Sequence, residues 1–294
     1  MSTGQFIRSF TGNVPLLAQC IAAWILRSVT KVRPSFGLLM GTGWHQALCL
    51  IPAAQLKILK EIPFKTLFGV GSVGVEGQTG SLSIVEWNGN VGVVLEGKHH
   101  LNEGPPEESS AQVRLLTEIV FALGVEYLIV VGACGHYNLH YKVGDIFLVR
   151  HFYDIDQPIA VSDPSEGFFY ADDGIDRKLR NVTLQVASGI SGISGPRMRQ
   201  GAYKQTLGPH LGGEHNSIAM RKLKVDAVGM SGWGEMYTAA MLGKKGLVML
   251  LVTDKAGKRS SHAAHLKLGE TMAPVLAELL DGVIMALPAP ESKK

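Results

Sequence analysis

Apolar and polar positions along the chain switch repeatedly between a helical and a strand rhythm. Residues 14–33 carry apolar side chains at helical spacing and stop at Pro34, which predicts a helix. The apolar run Phe36–Met40 predicts a buried strand that leads straight into Gly41-Thr42-Gly43. Two strand-like runs, 81–87 and 91–96, are joined by Asn88-Gly89, a pair suited to the tight turn of a β-hairpin. Val113, Leu116, Val120 and Leu123 share one stripe of a helix over 109–123. Strands are predicted at 127–131, ending in Gly132-Ala133-Cys134-Gly135, and at 143–149. Residues 153–176 mix Asp, Pro, Ser, Gly and aromatics and predict a long functional or interface loop. A helix over 177–190 and a Gly/Ser/Pro loop over 191–199 follow.

The last third predicts strand 201–207, helix 214–223, strand 227–230, helix 234–242, strand 247–253 and a long helix over 263–287. Pro274 within that last helix predicts a kink or a late start. Strands and helices alternate with no internal repeat and no clear linker. That pattern predicts a single α/β domain, a central mixed β-sheet flanked by helices, over residues 13–289. Residues 1–12 are expected to be a flexible N-terminus and 290–294 a C-terminal tail.

Composition narrows the function classes. Of 294 residues, 46% are hydrophobic and 18% charged, which is globular rather than disordered. A net charge of +3 is too small to point to nucleic acid. The longest apolar run, 14–26, is interrupted by Gln19 and is too short for a bilayer, so no membrane span is expected. Cys20, Cys49 and Cys134 form no close pair, which fits a reducing compartment and no disulfide framework. Neither CxxC nor HExxH occurs, so no metal site is expected. No acid precedes Glu61, whereas Arg8, Arg27, Lys31 and Arg33 do. An acid-free start resembles a mitochondrial presequence, but the regular helix and strand at 14–40 favour a cytoplasmic chain.

Ligand sites of open α/β sheets gather at the carboxyl ends of strands. Five such ends here carry small or polar residues: Thr42 between two glycines, Lys98-His99-His100 after Gly97, Ala133 within Gly132–Gly135, Met230-Ser231 after Gly229, and Thr253-Asp254. Each has an ordinary reading alone: a turn at Thr42, a solvated loop at Lys98, a helix cap at Ser231 or Asp254. Their recurrence after apolar runs is more specific than any one of them.

Several stretches resemble the trimeric purine nucleoside phosphorylase family, which includes the methylthioadenosine phosphorylases. TKVRPSFGLLMGTGW resembles the family's first strand and phosphate loop. LEGKHHLNEG resembles Gly-Arg-Phe-His-x-Tyr-Glu-Gly, and DAVGMSGWGE resembles Asp-Ala-Val-Gly-Met-Ser-Thr-Val-Pro-Glu. LGVEYLIVVGACGHYNLHYKVGDIFLV is the nearest match, and the resemblance runs from about residue 14 to 288. It implies phosphate-dependent cleavage of a purine nucleoside to free base and ribose 1-phosphate. Inorganic phosphate is then a co-substrate, no cofactor is needed, and the assembly is a homotrimer. In that trimer the loop near Phe168, Phe169 and Tyr170 would reach toward a neighbour.

The resemblance implies phosphate contacts from Thr42, Lys98, His100, the Ala133 backbone and Ser231. It implies nucleoside contacts from Leu211, Met230, Asp254 and His262, with Asp254 and His100 as the catalytic pair. The departures are specific. Lys98 stands for Arg, Gln78 for a phosphate-contacting His, Asn102 for Tyr and Gly234 for Pro. Gly212 stands for the base-binding Glu, and Asp254 for its companion Asn. A lysine keeps the charge but not the guanidinium fork. An ionised carboxylate offers only acceptors, which suits a 6-amino group better than a 6-oxo group. Gly-Thr-Gly, Ala-Cys-Gly and Thr-Asp also occur in the methylthioadenosine branch, whose second Asp is replaced by Lys255-Ala256. Three readings stand: a purine nucleoside phosphorylase, one directed to adenosine or methylthioadenosine, and a catalytically degenerate homologue kept as a binding or structural subunit.

Overall fold

The structure, a computed structural model, describes residues 14–29, 32–71, 79–154, 169–190, 197–208 and 212–287. Helix α1 (Val14–Ser28) leads into strand β1 (Phe36–Met40), short helix α2 (His45–Cys49) and strand β2 (Leu56–Pro63). Strands β3 (Ser81–Trp87) and β4 (Asn90–Glu96), helix α3 (Pro106–Ala122), and strands β5 (Tyr127–His136) and β6 (Ile146–Phe152) follow. Helix α4 (Arg177–Gly189), strand β7 (Met198–Gln205), helix α5 (Glu214–Lys222) and strand β8 (Ala227–Gly229) come next. Helix α6 (Trp233–Met241), strand β9 (Lys245–Lys255) and helix α7 (His262–Met285) complete the order.

The nine strands form one mixed sheet in the order β2-β3-β4-β1-β5-β8-β7-β6-β9, and β9 pairs back onto β5. The far half of the sheet is therefore a closed ring of five strands. β5 makes this possible by serving three partners. Its first residues pair with β1, its whole length pairs parallel with β9, and Gly135 and His136 pair antiparallel with β8.

Side chains along β1 alternate between two cores. Phe36, Leu38 and Met40 join the core that includes residues of α2, α4 and α7, and Leu39 joins the one that includes α1, α3 and α6. Every β1 residue is buried, as expected of a strand covered by helices on both faces. Gly37 is needed for α3 to pack closely, since a Cβ there would lie 2.6 Å from Val120. The α/β fold with a flanked mixed sheet is the architecture the sequence predicts.

Some boundaries differ. The first helix stops at Ser28 rather than 33. The strand expected at 143–149 runs Ile146–Phe152, because Val143 and Gly144 form a turn with Gly144 at φ +89°. Strand β2 and helix α2 are additions: β2 is an edge strand with one buried residue, Ile62, and exposed lysines, so it leaves no apolar run to read. Helix α7 starts at His262 and continues through Pro274 to Met285, so there is no late start. In the predicted aromatic loop, Phe169 packs partly buried against the core and Tyr170 is 67% exposed, while Phe168 lies outside the described residues. No helix among the described residues is long and apolar enough to cross a membrane.

Candidate active site

A cavity of about 600 Å³ opens where the carboxyl ends of β1, β4, β5, β8 and β9 meet the first turn of α7. Thr42, Lys98, His100, Ala133, Met230, Ser231, Asp254 and His262 all line it. Leu211 and Gln78 lie outside the described residues. Gly212, standing where the family has a base-binding Glu, also lines the cavity at φ +82°, a backbone conformation that suits glycine.

The Thr42 loop is anchored rather than loose. Trp44 is fully buried, and its indole Nε1 donates to the Gly132 carbonyl at 2.7 Å, tying the end of β1 to β5. Gly43 at φ +88° lets the loop turn against α7, where Gly269 has no side chain to oppose it.

Lys98 reaches inward beneath this loop. It is 3% exposed, and its ammonium donates to the Val131 carbonyl at 3.2 Å. A Cβ on Gly41 would stand 2.9 Å from Lys98 Cε, so Gly41 makes the path for the side chain. Burial holds the Lys98 pKa below the ordinary lysine value, and the negative charge of Glu235 partly offsets that. Lys98 is thus a desolvated amine whose charged form an anion in the cavity would stabilise.

Glu103, one turn beyond, clamps two imidazoles. Its Oε1 lies 2.9 Å from His100 Nδ1 and its Oε2 lies 3.2 Å from His99 Nδ1, and the His100 backbone N–H donates to the same carboxylate. Burial works to raise the Glu103 pKa, but the hydrogen bonds from His100 and His99 outweigh it and hold the carboxyl at about 2. With Nδ1 of His100 occupied by Glu103, Nε2 is the nitrogen left for a ligand.

Ser231 does not cap the next helix; the N-cap of α6 is Gly232 at φ +107°. Gly232 N–H donates to Glu235 Oε2 at 2.8 Å, and the Ser231 carbonyl accepts from Tyr203 at 2.8 Å. The Ser231–Gly232 peptide is therefore held at both its carbonyl and its N–H by buried polar groups.

Asp254 is not a cap either, since Ser261 caps α7. A β-bulge sets its position: Cys134 pairs with Val252 and Gly135 pairs with Asp254, so Thr253 is the extra residue on β9. The bulge places the 8%-exposed Asp254 carboxylate against Gly135, where a Cβ would lie 2.9 Å from Oδ2. Oδ1 accepts from Thr253 Oγ1 at 2.9 Å and lies 3.3 Å from His265 Nε2. Burial, with the Asp254 charge nearby, pushes the Cys134 thiol well above its usual pKa, so Cys134 lines the cavity as a neutral group.

Sequence reasoning missed Trp44, the clamping role of Glu103 and the presence of His265. His265 carried a signal: it lies three residues after His262 and so shares its face of α7. Trp44 carried none, because its partner is 88 residues away; Glu103 matches the Glu of the family motif, but its two imidazole partners depend on loop shape. Among the described residues, no group of three or more His, Cys, Asp or Glu side chains is arranged to hold a metal ion.

Comparison with known proteins bears on the fold and the family. The chain is 26% identical to mouse purine nucleoside phosphorylase over 92% of its own length and 94% of the relative's. It is 28% identical to purine nucleoside phosphorylase 1 of Geobacillus stearothermophilus, covering 88% of this chain and 92% of that one. Among solved structures, Schistosoma mansoni purine nucleoside phosphorylase in complex with inosine superposes with a TM-score of 0.78 at 23% identity, covering 93% of this chain and 97% of that one. The family model described as the phosphorylase superfamily matches residues 37–285, and the chain belongs to that superfamily.

Proposed function

We propose that the protein is a purine nucleoside phosphorylase, which cleaves a purine nucleoside with inorganic phosphate to free base and ribose 1-phosphate. The observation that carries this reading is the gathering in one cavity of a hydroxyl-rich, cationic set with an isolated carboxylate. The first comprises Thr42, Lys98, His100 and Ser231, and the second is Asp254. In this reading the first set and the Ala133 backbone hold phosphate in line with C1′ of the sugar. Phosphate oxygen bonds to C1′ as the bond from C1′ to the base nitrogen breaks, and the bonding pair leaves with the purine. Met230 and His262 flank the sugar, and Asp254 faces the base; the family resemblance adds Leu211 as a further nucleoside contact. A hydrogen bond or proton at the purine's five-membered ring then offsets the developing charge.

The carboxylate favours a second, finer reading of the same activity: preference for a 6-amino purine nucleoside such as adenosine or methylthioadenosine. Asp254 Oδ1 is taken up by Thr253 and His265, which leaves Oδ2 as an acceptor for an exocyclic amino group. The proposal includes a homotrimer, supported by the family resemblance and by exposed Tyr170. It also includes a cytoplasmic location, supported by three free cysteines.

Base release from inosine, guanosine, adenosine and methylthioadenosine, measured with and without phosphate, tests the function. The expected result is strictly phosphate-dependent release with ribose 1-phosphate formed in equal amount, fastest with a 6-amino nucleoside. Absence of cleavage for all four, with or without phosphate, overturns it in favour of a non-catalytic homologue.

A further inference from the structure

We propose that His265 is a specificity-determining positioning residue, which holds Asp254 Oδ1 through Nε2 and so presents Oδ2 to the base as a fixed acceptor. The inference rests on the reading of Asp254 as the base contact. His265 lines the same cavity, and its side chain is 15% exposed. Its Nε2 lies 2.7 Å from Ser260 Oγ and 3.3 Å from Asp254 Oδ1.

A single ring nitrogen carries at most one hydrogen, so the two neighbours decide the tautomer. If Nε2 is bare, the Ser260 hydroxyl can donate to it, but the ionised carboxylate then faces a lone pair at 3.3 Å. If Nε2 carries the hydrogen, both oxygens can accept from it. An ionised Asp254 therefore selects the Nε2–H form, and that hydrogen in turn restrains Oδ1. Thr253 Oγ1 supplies the second restraint on Oδ1. Oδ2, lying against Gly135, has no protein hydrogen bond among the described residues.

The tight loop after β9 brings His265 here. Gly257 at φ +86° folds that loop onto Gly213 and Ser217 at the start of α5, leaving no room for a side chain. Ser260 and the first turn of α7 are thereby carried to the cavity rim.

The test compares kcat/KM for adenosine and inosine in wild type, His265→Leu, His265→Gln and Asp254→Asn, with thermal melts and phosphate KM alongside. Removing a hydrogen bond to a carboxylate is worth about tenfold in its effect on an acceptor-dependent contact. His265→Leu is expected to lower the adenosine-to-inosine ratio by about that factor while leaving phosphate KM unchanged. His265→Gln, which returns an N–H donor near the Nε2 position, is expected to restore the ratio. Equal loss on both nucleosides in His265→Leu, or no rescue by His265→Gln, overturns the inference alone, provided Asp254→Asn shifts the ratio. An unchanged ratio in Asp254→Asn overturns the reading of Asp254 and the inference with it.

Discussion

A single methyl group placed at Gly135 probes the carboxylate without touching its charge. Gly135 is not among the residues at positive φ, so alanine meets no backbone penalty there. Its Cβ would stand 2.9 Å from Asp254 Oδ2, 3.4 Å from Asp254 Cγ and 3.5 Å from Ala256 Cβ. The last two distances are tolerable; the first is not. Oδ2 must retreat by about half an ångström to reach ordinary contact. The retreat turns the carboxylate and drags Oδ1 away from Thr253 Oγ1 at 2.9 Å and His265 Nε2 at 3.3 Å. Weakening one hydrogen bond to a charged group costs roughly 1.5–3 kcal/mol. If about half of that falls on the base contact, kcat/KM for the preferred nucleoside drops roughly three- to tenfold. Strain of the same size lowers Tm by roughly 2–4 °C. Steady-state kinetics at saturating phosphate and a thermal melt read both quantities. Phosphate KM is expected to hold, because Thr42, Lys98, His100 and Ser231 are untouched. A Gly135→Ala enzyme with wild-type kcat/KM and Tm would refute the claim that the bulge pins Asp254 for catalysis.

Three further outcomes follow from the site. Trp44→Phe keeps most of the packing but leaves the Gly132 carbonyl without its indole donor; we expect a loss of about 1–3 kcal/mol in denaturant unfolding and a raised phosphate KM. Lys98 loses its charge at a lower pH than an ordinary lysine, so phosphate KM should climb in the alkaline range below 10.5, and Lys98→Met should show a high KM with no such climb. Glu103 sits at about 2 in the folded protein against 4.5 in the open chain, so its stabilisation is present above pH 4.5 and fades as pH falls toward 2. Because the Glu103 side chain is 19% exposed, solvent trims this to about 1–2 kcal/mol, and urea midpoints of wild type and Glu103→Gln should differ near neutrality and converge in acid.

How much of this was legible in the chain differs by element. The strand at Phe36–Met40, the hairpin around Asn88-Gly89, the alternation of strands and helices and the strand-end positions of Thr42, Lys98, Ala133, Ser231 and Asp254 all follow from local pattern. Burial imposes a period of two or 3.6 on short stretches, and a turn that needs positive φ selects Gly or Asn, so both are written in neighbouring residues. What neighbouring residues do not encode was decided by tertiary contact. Closure of the ring depends on β9 returning to β5, a pairing of segments more than 100 residues apart. The Thr253 bulge exists only against the partner strand, and it determines which way Asp254 points. The ties from Trp44 to Gly132 and from His265 to Asp254 each join a loop or helix end to a strand that local pattern cannot connect to it. The sequence by itself therefore determined which chemical groups reach the strand ends. Only the folded structure decided which atom of each group is held by the protein and which is left for a ligand, because that assignment depends on ångström-scale contacts between distant segments.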